Sequence, residues 1–296
     1  MFPPAPARCL THEGSSMSDT SVVFVGVGAI GLPMAARLVA AGIPTTGVDP
    51  FPAAAERAAV AGVPVVTSLS AAPRADVVVV MVATPDQLAT LVDEVVDAGG
   101  QTWIVMSTVG PDAVREQGAR LVGRGATVLD VPVTGGVARA RTGELTLFAA
   151  GADVDAVRHV LEPLGTIRVV GTALGEGQAI KVVNQHLCSV HIVAAAEALA
   201  LAAKLGLDPA AVLPLVESGA AGSWMLSDRG PRMLQGTDVE VTSTIGIFVK
   251  DSGLVADAAR NADASTPLLD LARDRYLAAA DAGLAARDDS RVIETY

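Results

Sequence analysis

Residues 175–206 read GEGQAIKVVNQHLCSVHIVAAAEALALAAKLG, an Ala- and Leu-rich helical stretch whose polar residues gather near its start. Lys181, Asn184, Gln185 and Cys188 are spaced i, i+3, i+4 and i+7 and so share one helix face. Ile180, Val182 and Val183 flank the lysine. Burial penalises an ammonium, so a partly desolvated lysine gives up its proton more readily. An amine that exchanges a proton near neutral pH suits a general base in alcohol oxidation, or the acid in ketone reduction. The same spacing on an isolated surface helix is an ordinary solvated stripe. What separates the two readings is whether the stripe faces a cleft.

Two further segments could hold anions. VVFVGVGAIGLPMAARLVAAG, from Val22, places Gly26, Gly28 and Gly31 as G-x-G-x-x-G after a strand pattern and at the opening of a helix pattern. The first glycine permits a tight turn, the second lets backbone approach a pyrophosphate, and the third lets helix pack on strand. The helix N–H groups then meet the phosphate charge. The next strand ends at Asp49, where an acidic side chain can bond the adenine-ribose hydroxyls and repel a 2′-phosphate, favouring NAD over NADP. The alternative for Asp49 is a strand-end turn before Pro50. In DVPVTGGVARARTGELT (130–146), a strand runs into Thr134, Gly135 and Gly136, whose backbone N–H groups and hydroxyl suit a carboxylate. A glycine turn with a capping threonine is the plainer reading.

These groups need elements to position them. From Ser21 to about Gly171, short apolar runs, most of them containing Val (SVVFVG, IPTTGVD, VPVV, ADVVVVMV, TWIVMS, TVLDVPVT, LTLFAAG, TIRVVG), alternate with helical segments. Strands apolar on both faces require a largely parallel sheet covered by helices, a doubly wound α/β domain of the Rossmann type. Beyond Gly177 the sequence turns helical, punctuated by LGLDPAA, SGAAGS and STPL, so an all-helical second domain is expected. The boundaries expected are 1–20 for a disordered extension, 21–174 for the dinucleotide-binding domain and 175–296 for the helical domain of substrate binding and oligomerisation. Met17 is a candidate start within that extension. A long helix from near Gln178 joins the two domains, its first turns facing the cleft.

With 296 residues, 51% of them hydrophobic, the chain can bury sizeable cores. A net charge of −11 and the lack of clustered Lys and Arg disfavour nucleic acid and point to a small-molecule partner. Two cysteines, Cys9 and Cys188, make no disulfide framework or thiolate metal site, and His12, His159, His186 and His191 lack zinc spacing, so no metal is expected. The apolar tract 192–203 is interrupted by Glu197, no membrane partner is expected, and the reading is of a cytoplasmic protein.

Four segments in order, G-x-G-x-x-G, DVPVTGG, the G-x-G-x-x-x-K-x-x-N run from Gly175 to Asn184 and FVKD at 248–251, resemble the 3-hydroxyisobutyrate dehydrogenase-related β-hydroxyacid dehydrogenases over 21 to about 290. The resemblance implies an NAD-dependent enzyme in which Lys181 is the catalytic acid/base, Asn184 orients substrate, and Thr134, Gly135 and Gly136 hold its carboxylate. It implies cofactor contacts at Ala29, Ile30, Val82, Ala83, Ser107, Thr108 and Lys250, beside Gly26, Gly28, Gly31 and Asp49. The chain departs from the family in Thr134 for a serine, in Gln185 for a second asparagine, and in Ser243-Thr244 where an aromatic residue is common. VHIVAAAEALALAAKLGL, SGAAGSWML, IFVKDSGLVADAA and RDDSRVI are similar to the subgroup that oxidises L-threonate. Ser223 and Trp224 would then offer a hydroxyl and an indole N–H to a polyol, with a helix N-cap and a core tryptophan as the alternatives. Rival expectations are a 3-hydroxyisobutyrate or tartronate semialdehyde-type substrate, and a non-catalytic dinucleotide-binding scaffold. Imine reductases are further relatives, but Lys181 argues against that chemistry. The apolar helical domain suggests a homodimer or homotetramer.

Overall fold

The computed structural model describes residues 20–296, so the extension expected over 1–20 lies, apart from Thr20, outside the described residues. The sheet strands are β1 (Val22–Val25), β2 (Thr45–Val48), β3 (Val65–Val66), β4 (Val77–Val80), β5 (Thr102–Val105), β6 (Thr127–Asp130), β7 (Val133–Thr134), β8 (Leu145–Ala150) and β9 (Gly165–Gly171). Between them run α1 (Gly31–Ala40), α2 (Pro52–Val60), α3 (Pro85–Asp93), α4 (Pro111–Val122), α5 (Gly136–Thr142) and α6 (Arg158–Leu161). After β9 follow α7 (Glu176–Lys204), α8 (Pro209–Glu217), α9 (Trp224–Met233), α10 (Ile245–Asn261) and α11 (Pro267–Ala279).

The strand order is β3-β2-β1-β4-β5-β6-β8-β7, with β9 paired to β8. β1 to β6 are parallel, as the apolar runs require, while β8 lies antiparallel to β6 and β7. Strand periodicity sends successive side chains to opposite faces. Val22 and Phe24 therefore enter one core with Met34 and Leu38 of α1, while Val23 and Val25 enter another with Leu88 of α3 and Leu121 of α4. β4 divides the same way, Val77 and Val79 against Val78 and Val80. A strand with no polar face is stable only between two helical layers, and this sheet has both.

The strand order reverses between β1 and β4, which opens a crevice at the carboxyl ends of those strands. Gly26 follows β1, Asp49 follows β2, Val82 lies just beyond β4, and Ser107 and Thr108 lie just beyond β5. The expected cofactor residues thus gather along one edge of the sheet.

α7 touches α4, β8 and β9 near its start and α8, α9, α10 and α11 further along. Ile192, Ala196 and Leu199 pack with Leu213, Leu226, Phe248 and Tyr276 in a third core. The Tyr276 hydroxyl donates to the Ser189 carbonyl at 2.9 Å. Among the described residues α7 is the one helix long and apolar enough to cross a membrane, but its inner face is the centre of this helical core. The C-terminal residues are held against α9 by Arg229, whose guanidinium grips Asp289 at 2.9 and 2.8 Å.

Candidate active site

The glycine loop is built by its own backbone. Gly26 has φ +89°, and a Cβ there would lie 2.3 Å from the Met81 carbonyl oxygen. A Cβ on Gly31 would lie 1.9 Å from the Gly26 carbonyl oxygen. These two glycines are required by the turn. Gly28 faces open space, with nothing within 4 Å of a Cβ, so its bareness serves no packing need and leaves room for a ligand. No side chain caps the N-terminus of α1 at Ile30; Leu32 N–H is taken by the Gly28 carbonyl at 3.0 Å and Pro33 has no N–H, so it is the N–H groups of Ile30 and Gly31 that are left to meet a pyrophosphate.

Asp49 is buried, and its carboxylate accepts from Val27 N–H at 3.2 Å and Phe51 N–H at 3.0 Å. The turn role and the position beside the glycine loop therefore coexist, and each oxygen keeps a lone pair for a ribose hydroxyl. Ser107 is buried behind the strand ends: its hydroxyl accepts from Val82 N–H at 2.7 Å and donates to the Val80 carbonyl at 3.2 Å. It shapes the turn that presents Val82 and Ala83. An open crevice, an uncapped helix and a carboxylate at the second strand fit a dinucleotide.

The start of α7 is fixed by side chains from elsewhere. Its N-cap, Gly175, supplies no capping side chain. Asp130, at the end of β6, takes that role: Oδ2 accepts from Gly175 N–H at 3.0 Å and Gln178 N–H at 2.9 Å, and Oδ1 accepts from Gln178 Nε2 at 3.0 Å. Gln178 Oε1 in turn accepts from Val109 and Gly110 N–H, both at 3.0 Å, and Nε2 donates to the Ser107 carbonyl at 2.9 Å. Gly177 allows the close approach, since a Cβ would sit 2.6 Å from the Phe148 carbonyl oxygen. Burial pushes the Asp130 carboxyl up from its ordinary value, against the pull of the bonds from Gln178 and Gly175.

One turn further along is Lys181, 7% exposed. Its pKa is held below the usual lysine range, mainly by burial, with the charge of Lys250 adding to the effect and Asp251 and Cys188 opposing it. The polar stripe continues through Asn184, whose amide donates to Gln185 Oε1 at 2.8 Å and Cys188 Sγ at 3.3 Å. Gln185 Nε2 donates to Asp251 Oδ2 at 2.5 Å. Lys250 Nζ lies 2.7 Å from Asp251 Oδ1, a charge contact without hydrogen-bond alignment. Lys250 also donates to the Thr108 carbonyl at 3.0 Å, which joins α10 to the crevice edge.

Thr134 ends β7 and is partly exposed; Gly135 and Gly136 follow at φ +131° and +67°, and no side chain caps α5. Both glycines sit in the left-handed region that suits a residue without Cβ. Of the alternatives for Ser223 and Trp224, the cap is realised: Ser223 Oγ accepts from Leu226 N–H at 3.0 Å. The core tryptophan is not, because Trp224 is 46% exposed. Arg139 and Arg229 each approach its ring to 5.9 Å. Sequence reasoning assigned no role to Asp130, Gln178, Asp251, Arg139 or Arg229. A lone acid closing an apolar strand was a signal for Asp130, whereas nothing in the spacing marked its partners. Among the described residues no group of three or more His, Cys, Asp or Glu is arranged to hold a metal.

Residues 21–186 match the NAD binding domain of 6-phosphogluconate dehydrogenase, and 175–296 match the NAD-binding domain of NADP-dependent 3-hydroxyisobutyrate dehydrogenase. The chain is 36% identical over 285 residues to the L-threonate dehydrogenase of Cupriavidus necator, covering 93% of this chain and 96% of that one. It is 35% identical over 289 residues to that of Pectobacterium atrosepticum, covering 94% and 95%. The crystal structure of a 3-hydroxyisobutyrate dehydrogenase from Salmonella typhimurium superposes with a TM-score of 0.87 at 32% identity, covering 94% of this chain and 100% of that one.

Proposed function

The chain belongs to the NAD-binding 3-hydroxyisobutyrate dehydrogenase family and is an NAD-dependent hydroxyacid dehydrogenase; from that premise we propose that its substrate is L-threonate or a close four-carbon sugar acid. Thr134, Gly135 and Gly136 seat the carboxylate, through N–H groups and a hydroxyl at an uncapped helix start. Asn184 orients the reacting hydroxyl, and the neutral amine of Lys181 takes its proton. The nicotinamide, when bound, accepts the hydride. Lys181 returns the proton in the reductive direction, so one buried amine serves both. The observation that carries this assignment is a lysine buried one turn from the bolted start of α7, its pKa depressed, with Asn184 on its own face. The similarity to L-threonate dehydrogenases and the exposed Trp224 beside Arg139 support a polar substrate.

Residues 21–174 act as the dinucleotide-binding domain and 175–296 as the helical domain, the division falling between β9 and α7. Asp49 beside the glycine loop favours NAD over NADP by repelling a 2′-phosphate. Ile180, Val183, Leu187, Ala194, Leu201 and Leu205 form one exposed apolar stripe along α7, which supports a homodimer or homotetramer closed over that face. Light scattering counts the subunits. A cytoplasmic location is proposed on the similarity to bacterial dehydrogenases of small hydroxy acids.

The test is NADH and NADPH formation across L-threonate, erythronate, 3-hydroxyisobutyrate, glycerate and β-hydroxybutyrate. L-threonate with NAD is expected to give the highest kcat/KM. A maximum at 3-hydroxyisobutyrate moves the assignment to that substrate, and a response to none overturns it.

A further inference from the structure

We propose that Arg139 sets the substrate specificity of this site: its guanidinium, displayed between the Gly135 turn and the Trp224 ring, meets an oxygen at the distal end of the hydroxy acid. The inference rests on the carboxylate being seated at Thr134, Gly135 and Gly136. Arg139 stands one turn into α5, and helical side chains lean toward the N-terminus of their helix. Its stem accordingly lies over the seat, because a Cβ on Gly135 would meet Arg139 Cδ at 2.8 Å.

Of the two arginines near Trp224, only Arg139 lacks a carboxylate partner. Arg229 is buried and committed to two, with Nε and one terminal nitrogen on Asp289 and the other terminal nitrogen on Asp228. Arg141, two residues on, pairs with Glu240 across the same gap at 3.7 Å. Arg139 is exposed and makes no ion pair or side-chain hydrogen bond among the described residues, its ring contact with Trp224 aside. That ring contact leaves five N–H donors in the guanidinium plane.

The neighbours of Trp224 lead back to the lysine stripe. Arg229, at 5.9 Å from the Trp224 ring, is near enough to Cys188 for its charge to act on the thiol. Cys188 is the far end of the stripe that begins at Lys181, and Asn184 bonds it. The seat, Arg139, Trp224, Arg229 and the stripe thus form one connected series of neighbours. A ligand anchored by its carboxylate and presenting one hydroxyl to Lys181 brings its remaining carbons to Arg139. Hydroxyl oxygens there accept charge-assisted hydrogen bonds. A methyl group there leaves the donors partly dehydrated and unanswered, so the arginine separates a polyhydroxy acid from a branched aliphatic one.

The experiment compares wild type, Arg139→Ala and Arg139→Lys as complete protein loaded with NADH. Calorimetry on these dead-end complexes gives dissociation constants for L-threonate and for 3-hydroxyisobutyrate, and oxidation of each is followed separately with NAD on the same three proteins. In Arg139→Ala the preference for L-threonate, read as the ratio of the two constants, is expected to fall by about tenfold or more. Arg139→Lys, which keeps the charge and loses the planar fork, recovers part of that ratio. A ratio that stays within about threefold of wild type overturns the proposal, whether both ligands weaken together or neither does. Joint weakening would assign Arg139 to the shared carboxylate. Failure of wild type to oxidise L-threonate would instead remove the substrate assignment, and the change in ratio still decides the arginine.

Discussion

The cofactor loop and the lysine stripe solve opposite problems. Gly26, Gly28 and Gly31 lie within six residues, and the contacts that demand two of them come from the loop itself and the adjacent β4 end. The setting of Lys181 depends on groups from far along the chain: Asp130 locks the helix through Gln178, Asp251 and Lys250 arrive from α10, and Thr108 anchors Lys250 to the sheet. A phosphate cradle needs backbone geometry, which neighbouring residues can dictate. A depressed amine pKa needs removal of water, which only packing can supply.

Four variants bear on that contrast. Lys181→Ala strikes the assembled site, and turnover should fall about a thousandfold while NADH fluorescence still reports cofactor binding. Turnover within tenfold of wild type would remove the amine from the proton step. Gly28→Ala strikes the local site: the methyl enters open space, so the melting temperature should hold while NAD affinity drops by about tenfold to a hundredfold. Normal affinity in that variant would mean that the cofactor does not approach the second glycine.

Asp130→Ala asks how firmly the stripe is held. Two backbone N–H groups and one amide lose their acceptor in a buried place, at a cost of about 1–3 kcal/mol, so thermal melting should come several degrees earlier and turnover should decline. An unshifted melting curve would show that the N-terminus of α7 is held by other contacts. Asp251→Asn should give the smallest effect. The Asp251 charge favours the ammonium form of Lys181, so its loss lowers the lysine pKa further. In the proposed oxidation the neutral amine is the base, and the acidic limb of kcat/KM against pH should therefore move to lower pH. A limb that stays in place belongs to another group.

Much of this architecture was legible before any coordinates. The eight apolar runs are the strands of the sheet, with TVLDVPVT divided into β6 and β7, and GEGQAIK opens a helix at Glu176. Strand and helix periods are local properties, and glycine demand at a tight turn is a property of φ. The four-residue rhythm that set Lys181, Asn184 and Cys188 on one face was equally readable. Less could be learned of Ser107, because a hydroxyl beyond a strand looks the same whether it faces a ligand or, as here, ties Val82 to Val80 from behind. Trp224 illustrates the same limit: composition favours a buried indole, while the fold leaves it beside two arginines.

By itself, then, the sequence determined the layered α/β plan, the dinucleotide loop and the face on which Lys181 travels, since each follows from spacing along one segment. Only the tertiary structure decided that Lys181 on this face is buried, that Asp130 caps a helix 45 residues away, and that Arg139 stands over Gly135 with its donors free. Desolvation and charge act through space, and their partners are chosen by how the sheet and the helices pack.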